Sequence, residues 1–339
     1  MYNPMQSIIS RIQKTDKKYN ILCLPTHESY QTNLSKTGHD FYMLQGDGIK
    51  QWDFHTKPLP SNHYLITQPT QILPNQPIVN FPKGIEFDLI LSQERNFQLG
   101  FLAEIAHRIG IPLISIDHTM PSPGWTDKTI DRSNGIPVKH RVFITEFNLK
   151  AFKGDPAKDT VIPHGIDTTR YGGFKGNPEP YGISVVNLFP QRDVFCGWEL
   201  WRSVASETKI KLIGHNPGLS ESAKSEDHLI QELSNARYFL NTSQWSPVPL
   251  SMLEAMSVGL PIISTSKQEI PNIIKHGENG FLADTKEDII KYVNILSNEL
   301  ELATKMGEAA RQTIIDKFNI DQFVKNWNDV FESVYIRNV

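Results

Sequence analysis

The chain reads as α/β: two doubly wound parallel sheets, each with its own core, facing one another across a cleft. Three features predict this. Apolar runs bounded by Gly, Pro and Asn alternate with helical patterns along the whole sequence. The 339 residues are enough for two domains of ordinary size. A Gly, Pro and Asn cluster at 172–182 separates two strand-like runs, as an interdomain linker does.

In chain order, strands are expected at 19–24, 40–44, 64–67, 87–91, 113–117, 142–145 and 160–162, with helices over 96–109 and part of 3–14. After the linker the pattern predicts a strand at 182–188, a helix at 197–206, a strand at 209–213, a helix at 227–233 and a strand at 238–241. A helix then begins near Leu250. The closing helix, about 321–335, carries Phe323, Trp327, Val330, Phe331 and Val334 at helical spacing. The expected division is therefore 1–171, the linker 172–182, 183–320, and a terminal segment 321–339.

Composition excludes several classes. With 39% hydrophobic, 21% charged and 10% aromatic residues, the chain lacks the bias of disordered segments. A net charge of −3 gives no strong basic footprint for nucleic acid. Cys23 and Cys196 lie in distant segments, which argues against a disulfide framework or a thiolate metal site. No apolar run approaches the length of a membrane span and 1–5 shows no signal-peptide pattern, so the expected location is cytoplasmic. The His residues are dispersed without ligand spacing, and no Asp-x-Asp occurs, so no metal site is expected.

The most informative stretch is 238–282. An apolar strand, Tyr238-Phe239-Leu240-Asn241, leads through a Pro-rich loop, Ser246-Pro247-Val248-Pro249, into Leu250-Ser251-Met252-Leu253-Glu254-Ala255-Met256. This arrangement presents a helix's first N–H groups, those of Leu250 and Ser251, at a strand's carboxyl end, which suits a phosphate. Glu254, one turn in, can reach hydroxyl groups on whatever the helix start holds. A sugar nucleotide has both. Taken alone, Leu253-Glu254-Ala255-Met256 also suits an ordinary amphipathic helix with Glu254 in solvent.

The order of these elements, together with Gly259-Leu260-Pro261, the turn Gly277-Glu278-Asn279-Gly280 and the run Val161-Ile162-Pro163-His164-Gly165, resembles the retaining GT-B glycosyltransferases of the family 4, or group 1, type. The resemblance covers about the last half of the chain. It implies a GT-B fold of two Rossmann-like domains, a nucleoside-diphosphate-sugar donor with UDP-sugar favoured, no further cofactor, and transfer to an acceptor hydroxyl, retaining and metal-independent. It also implies that Glu254 binds the nucleotide ribose. The family's first Glu, eight residues earlier, is replaced by Ser246, and its Phe-Gly pair by Val248-Pro249, which removes one backbone donor.

Glycosyl transfer builds charge on the departing phosphates. Arg192, just after the first strand of the second half, is where the family places a cation on the diphosphate, although the family's Gly-Arg and Lys-Gly spacing is not reproduced and Cys196-Gly197 stands near the second position. His118, after the 113–117 strand, matches a first-domain His that contacts the donor sugar in relatives. Asp117 beside it, and His27 and Glu28 in a first βα turn that lacks the family's Gly, are further candidates for acceptor or sugar contact. Each also has a structural reading: a loop Arg, a core His, a polar surface turn. A glycan is the acceptor the family suggests. A modified DNA base or a protein side chain stays open, as does a non-catalytic nucleotide-sugar or glycan binder.

Overall fold

In the computed structural model, residues 17–54, 57–67, 81–95, 97–172 and 179–336 are described. Two sheets form, every strand parallel to its neighbours. The first has the order β3-β2-β1-β4-β5-β6-β7 and the second β12-β11-β10-β8-β9. The first comprises β1 (Asn20–Cys23), β2 (Asp40–Gln45), β3 (His63–Thr67), β4 (Leu89–Ser92), β5 (Leu113–Asp117), β6 (His140–Phe143) and β7 (Thr160–Val161). The second comprises β8 (Gly182–Val185), β9 (Ile210–Ile213), β10 (Tyr238–Asn241), β11 (Ile262–Ser264) and β12 (Gly280–Leu282). Strands β4, β5 and β10 are buried at every position, because helices cover both faces of a parallel sheet and leave no solvent side for alternation.

Two expected strands stop two or three residues short, one for a local reason and one because a distant side chain intervenes. The strand expected at 142–145 runs His140–Phe143, because Thr145 caps the next helix, Glu146–Ala151, by accepting a hydrogen bond from the Asn148 N–H at 2.9 Å. The strand expected to reach 188 stops at Val185. There the Asn216 side chain takes the Val186 carbonyl at 2.8 Å and Leu188 turns to φ 51°. The helix expected within 3–14 and most of the 172–182 linker lie outside the described residues.

The closing helix, Ile320–Ile336, packs on the first sheet. Phe323, Trp327, Val330, Phe331 and Val334 share a core with Ile21, Phe41, Leu89 and Ile114. The Trp327 indole donates to the Tyr30 hydroxyl at 2.9 Å, so the chain's end is fastened beside the first βα turn. Burying Trp327 and Phe331 stabilises this return by roughly 1.5–3 kcal/mol each. The two crossings between sheets run side by side, with Ile166 bridging Asn319.

Contacts between the sheets come from loops that follow strand carboxyl ends, and their order repeats the strand order. Lys57, after β2, meets Glu226, after β9. The Trp245 indole, after β10, donates to the Pro121 carbonyl, after β5, at 2.8 Å. The Phe147 N–H, after β6, donates to Glu269, after β11, at 3.1 Å. The carboxyl ends of both sheets therefore line one cleft, the usual ligand position in open α/β sheets.

Candidate functional site

The second-domain wall is built from β10 outward. At its end the Asn241 side chain bonds Ser264 at 2.9 Å and accepts from the Ser243 N–H and hydroxyl. The N–H groups of Gln244 and Trp245 both donate to the Phe195 carbonyl, at 2.9 and 3.0 Å. These bonds deliver the chain to the helix Leu250–Val258, whose N-cap is Pro249 and whose first turn has no side-chain cap. A helix start leaves its first N–H groups without intrahelical partners, so those of Leu250 and Ser251 remain for a ligand. The Ser251 hydroxyl donates to the Val185 carbonyl at 3.0 Å and ties the helix start to β8. Ser246 is half-buried in the approach loop.

Arg192 lies on the neighbouring loop after β8, exposed, with one guanidinium nitrogen 3.4 Å from the Asn187 carbonyl. Gly197 lets this loop reach β10: it has φ 73°, and a Cβ there would stand 2.1 Å from the Thr242 carbonyl. The Cys196-Gly197 pair is therefore a packing requirement. The Arg192 charge is felt across the cleft at His27.

Glu254 is not in solvent. It is 9% exposed, and the Tyr171 hydroxyl donates to it at 2.9 Å. Burial, opposed by the Lys57 charge and this hydrogen bond, pushes its carboxyl up to about 7. Lys57 and Tyr171 come from outside the helix that carries Glu254.

The first-domain wall consists of rings. His118 packs edge-on against His27 (centroids 4.6 Å apart) and Tyr30 (4.4 Å), and lies parallel to His164 at 6.4 Å. His118 Nε2 is 3.3 Å from Gln93 Oε1. The Gln93 amide nitrogen and His164 Nδ1 are buried without a partner. Burial drives the His118 imidazole well below its usual range and lowers His164 to about 4. His27 keeps access to solvent, yet the cleft walls and then Lys50 lower it to about 4 as well. At neutral pH all three are uncharged, able to hydrogen-bond but not to act as cations.

Two first-domain candidates are turned to other work. Asp117 receives the Arg95 guanidinium on both oxygens, at 2.9 and 2.5 Å, with both side chains buried. Glu28 accepts from Lys50 at 2.7 Å and from the Asp53 N–H at 3.3 Å, so it does not form an acid–base pair with His27. Tyr30 lies in the first βα turn already expected to face the cleft, but sequence reading missed Gln93, His164, Tyr171 and Lys57 as cleft residues. His164 stood inside a quoted motif. The others meet the site only through folding, since nothing in their local spacing signals it.

Among the described residues no group of three or more His, Cys, Asp or Glu side chains could hold a metal ion, and no helix is long and apolar enough to cross a membrane.

Comparison with known proteins finds likeness in part of the sequence and in the fold. Residues 206–313, which include β10 and the Glu254 helix, match the family model Glycosyl transferases group 1. The N-acetyl-alpha-D-glucosaminyl L-malate synthase of Bacillus anthracis is 30% identical over 112 residues, 32% of this chain and 29% of that protein. The UDP-Gal:alpha-D-GlcNAc-diphosphoundecaprenol alpha-1,3-galactosyltransferase of Escherichia coli is 23% identical over 55% of this chain and 57% of its own length. The matched stretch thus spans between about a third and a little over half of these curated relatives. Over whole chains the fold is shared: Anabaena HepE in complex with UDP and glucose superposes with TM-score 0.73 at 14% identity, covering 94% of this chain and all of that one. The sucrose-phosphate synthase of Thermosynechococcus elongatus gives 0.68 at 11% identity, covering 94% and 99%. The architecture is that of the GT-B glycosyltransferases.

Proposed function

We propose that this protein is a glycosyltransferase that moves a sugar from a nucleoside-diphosphate donor, a UDP-sugar in the first instance, to an acceptor hydroxyl. The observation that carries this reading is the uncapped start of the Leu250–Val258 helix, with Glu254 one turn in, facing a ring-lined wall across the cleft. In the reaction the bond from the anomeric carbon to the diphosphate breaks as the acceptor oxygen bonds to that carbon, and the acceptor's proton leaves to the departing phosphate. The charge appears on the diphosphate. The Leu250 and Ser251 N–H groups and Arg192 are placed to stabilise it there, and this supports transfer without a metal. Glu254 accepts from the nucleotide's ribose hydroxyls. His118, neutral, orients the sugar by hydrogen bonding and is not an acid.

Retention of configuration and a glycan acceptor complete the proposal, on family resemblance, as does a cytoplasmic location. Ser246 and Pro249 favour a second reading, a nucleotide-sugar binder without turnover, because a charge and a backbone donor are missing from the donor loop. One experiment separates the two. Purified protein is screened with UDP-sugars for released UDP, beside calorimetry with UDP. Release marks the transferase, and binding without release marks the binder. The Glu254→Ala variant loses a charge-assisted hydrogen bond and should bind UDP more weakly by about 1.5–3 kcal/mol. Unchanged affinity in the folded variant removes Glu254 from the site.

A further inference from the structure

The carboxylate that the donor needs is held by a proton that two carboxylates could claim. The Tyr171 hydroxyl lies 2.9 Å from Glu254 Oε1 and 3.2 Å from Glu226 Oε1. A hydroxyl has one hydrogen to donate. Glu226, however, is already served by cations on both oxygens: Lys57 stands 2.5 Å from Oε1 and Arg170 2.6 Å from Oε2. Arg170 is shared with Asp227 at 3.5 Å. The pair Lys57–Glu226 is sheltered, with side chains 11% and 20% exposed.

Lys57 is the member that belongs to the first sheet. It sits on the connection between β2 and β3, where its carbonyl accepts from the Trp52 indole at 2.9 Å and its N–H donates to the Asp53 carbonyl at 3.2 Å. Glu226 begins the helix Glu226–Asn235 of the second domain. The ion pair therefore exists only while the two walls of the cleft are together on this side.

We propose that Lys57 is a positioning residue for the donor site: by holding Glu226 it leaves the Tyr171 proton to Glu254 and sets that carboxylate for the nucleotide only when the first domain is docked. The inference rests on the donor-site reading of Glu254. Without Lys57, Glu226 keeps Arg170 alone and competes for the Tyr171 proton, while Glu254 loses a nearby positive charge. Both changes favour the protonated form of Glu254, which accepts hydrogen bonds poorly. Among the described residues, Lys57, Tyr171, Glu226 and, through Glu226, Arg170 and Asp227 are the charged or titratable groups around it. Nucleotide binding and cleft closure are then reciprocally linked, each favouring the other.

The test follows Glu254 and the nucleotide separately. Carboxyl-carbon NMR on protein labelled at Glu, assigned with Glu254→Gln, gives the Glu254 titration midpoint, and calorimetry with UDP alone gives affinity against pH. Lys57→Met should raise the midpoint by about one pH unit, a tenfold change in proton affinity. UDP binding should weaken about fivefold at pH 7, approaching tenfold at lower pH, and recover as pH rises past the new midpoint. Lys57→Arg should behave as wild type. Tyr171→Phe, which keeps the ring, should raise the midpoint too, and it carries the test if Lys57→Met fails to fold. A midpoint that ignores Lys57 and Tyr171 while UDP still binds overturns the positioning role and leaves the donor site standing. A midpoint that moves as stated while UDP has no effect on Glu254 overturns the donor-site reading, and with it any role of Lys57 in donor binding.

Discussion

The two walls of the cleft do their work with different materials. The second-domain wall offers main-chain N–H groups from one helix start, one carboxylate and one arginine, gathered within about sixty residues of chain between Arg192 and Glu254. The first-domain wall offers side chains: His27 and Tyr30 from the β1 turn, Gln93 after β4, His118 after β5 and His164 after β7. A wall made from a helix start needs only a strand, a loop and a helix in sequence, and any chain that keeps their spacing keeps the site. A wall made from side chains needs four segments brought to one place by the sheet. The first kind of site can be read from spacing; the second becomes visible only once the strands are ordered.

The sharpest way to break the comparison is to damage the scaffold of the first wall without touching a ring. Arg95 pairs with Asp117 on both oxygens, reaches Asn134 at 2.6 Å and lies 4.2 Å from the centre of the Phe152 ring. Arg95→Leu leaves the Asp117 carboxylate buried without its cation. Removing one partner of such a pair destabilises by about 3–5 kcal/mol, so chemical denaturation should show a loss of that size. If Asp117 instead acts on substrate, Arg95→Leu would spare stability and change turnover.

Next in size is the second wall's cation. Arg192 meets the diphosphate most strongly as charge develops, so Arg192→Ala should lower kcat by about 10²–10³ and change UDP affinity far less. Single-turnover kinetics beside calorimetry measures both. Equal losses in kcat and affinity would make Arg192 a simple binding residue, and no loss would return it to the loop it already touches through the Asn187 carbonyl.

These expectations show where sequence was sufficient. The alternation of strands and helices, β5 and β10 to the residue, the closing helix and the Leu250 helix start were all legible, because each depends on short-range periodicity or on turn chemistry. One strand end failed where a side chain from elsewhere intervened, Asn216 at Val186, and another where the next residue of the run, Thr145, capped the following helix instead. Glu254 was legible as an acid one turn into the helix, but its surroundings were not. Tyr171 lies 83 residues away in sequence, and Lys57 acts from the other sheet. Asp117 and Glu28 looked available because a sequence shows charge without its partner, and here the partners are Arg95 and Lys50.

The smallest effect concerns acid and separates the walls by sign. His39, His63 and His164 are buried in the first half with imidazoles lowered to about 4, in each case chiefly by desolvation. A folded value below the unfolded one means that the stability they contribute is present above about 6.5 and is lost as pH falls through about 4. Glu254 runs the other way. Its folded value of about 7 exceeds the unfolded one, so its contribution is present below about 4.5 and is lost as pH rises through about 7. Thermal midpoints measured from pH 4 to 8 should therefore fall on the acid side, with His164→Phe removing on the order of 1–2 kcal/mol of that slope if the ring is accommodated. Glu254→Gln removes the opposing term, so it should steepen the rise between about pH 4.5 and 7 and raise the midpoint near pH 8, where the wild type has a buried charge, at the same time as it weakens UDP. An acid slope untouched by His164→Phe would mean that this imidazole stays solvated, and the contrast between a wall of neutral rings and a wall of charge and backbone would then have to be given up at that residue.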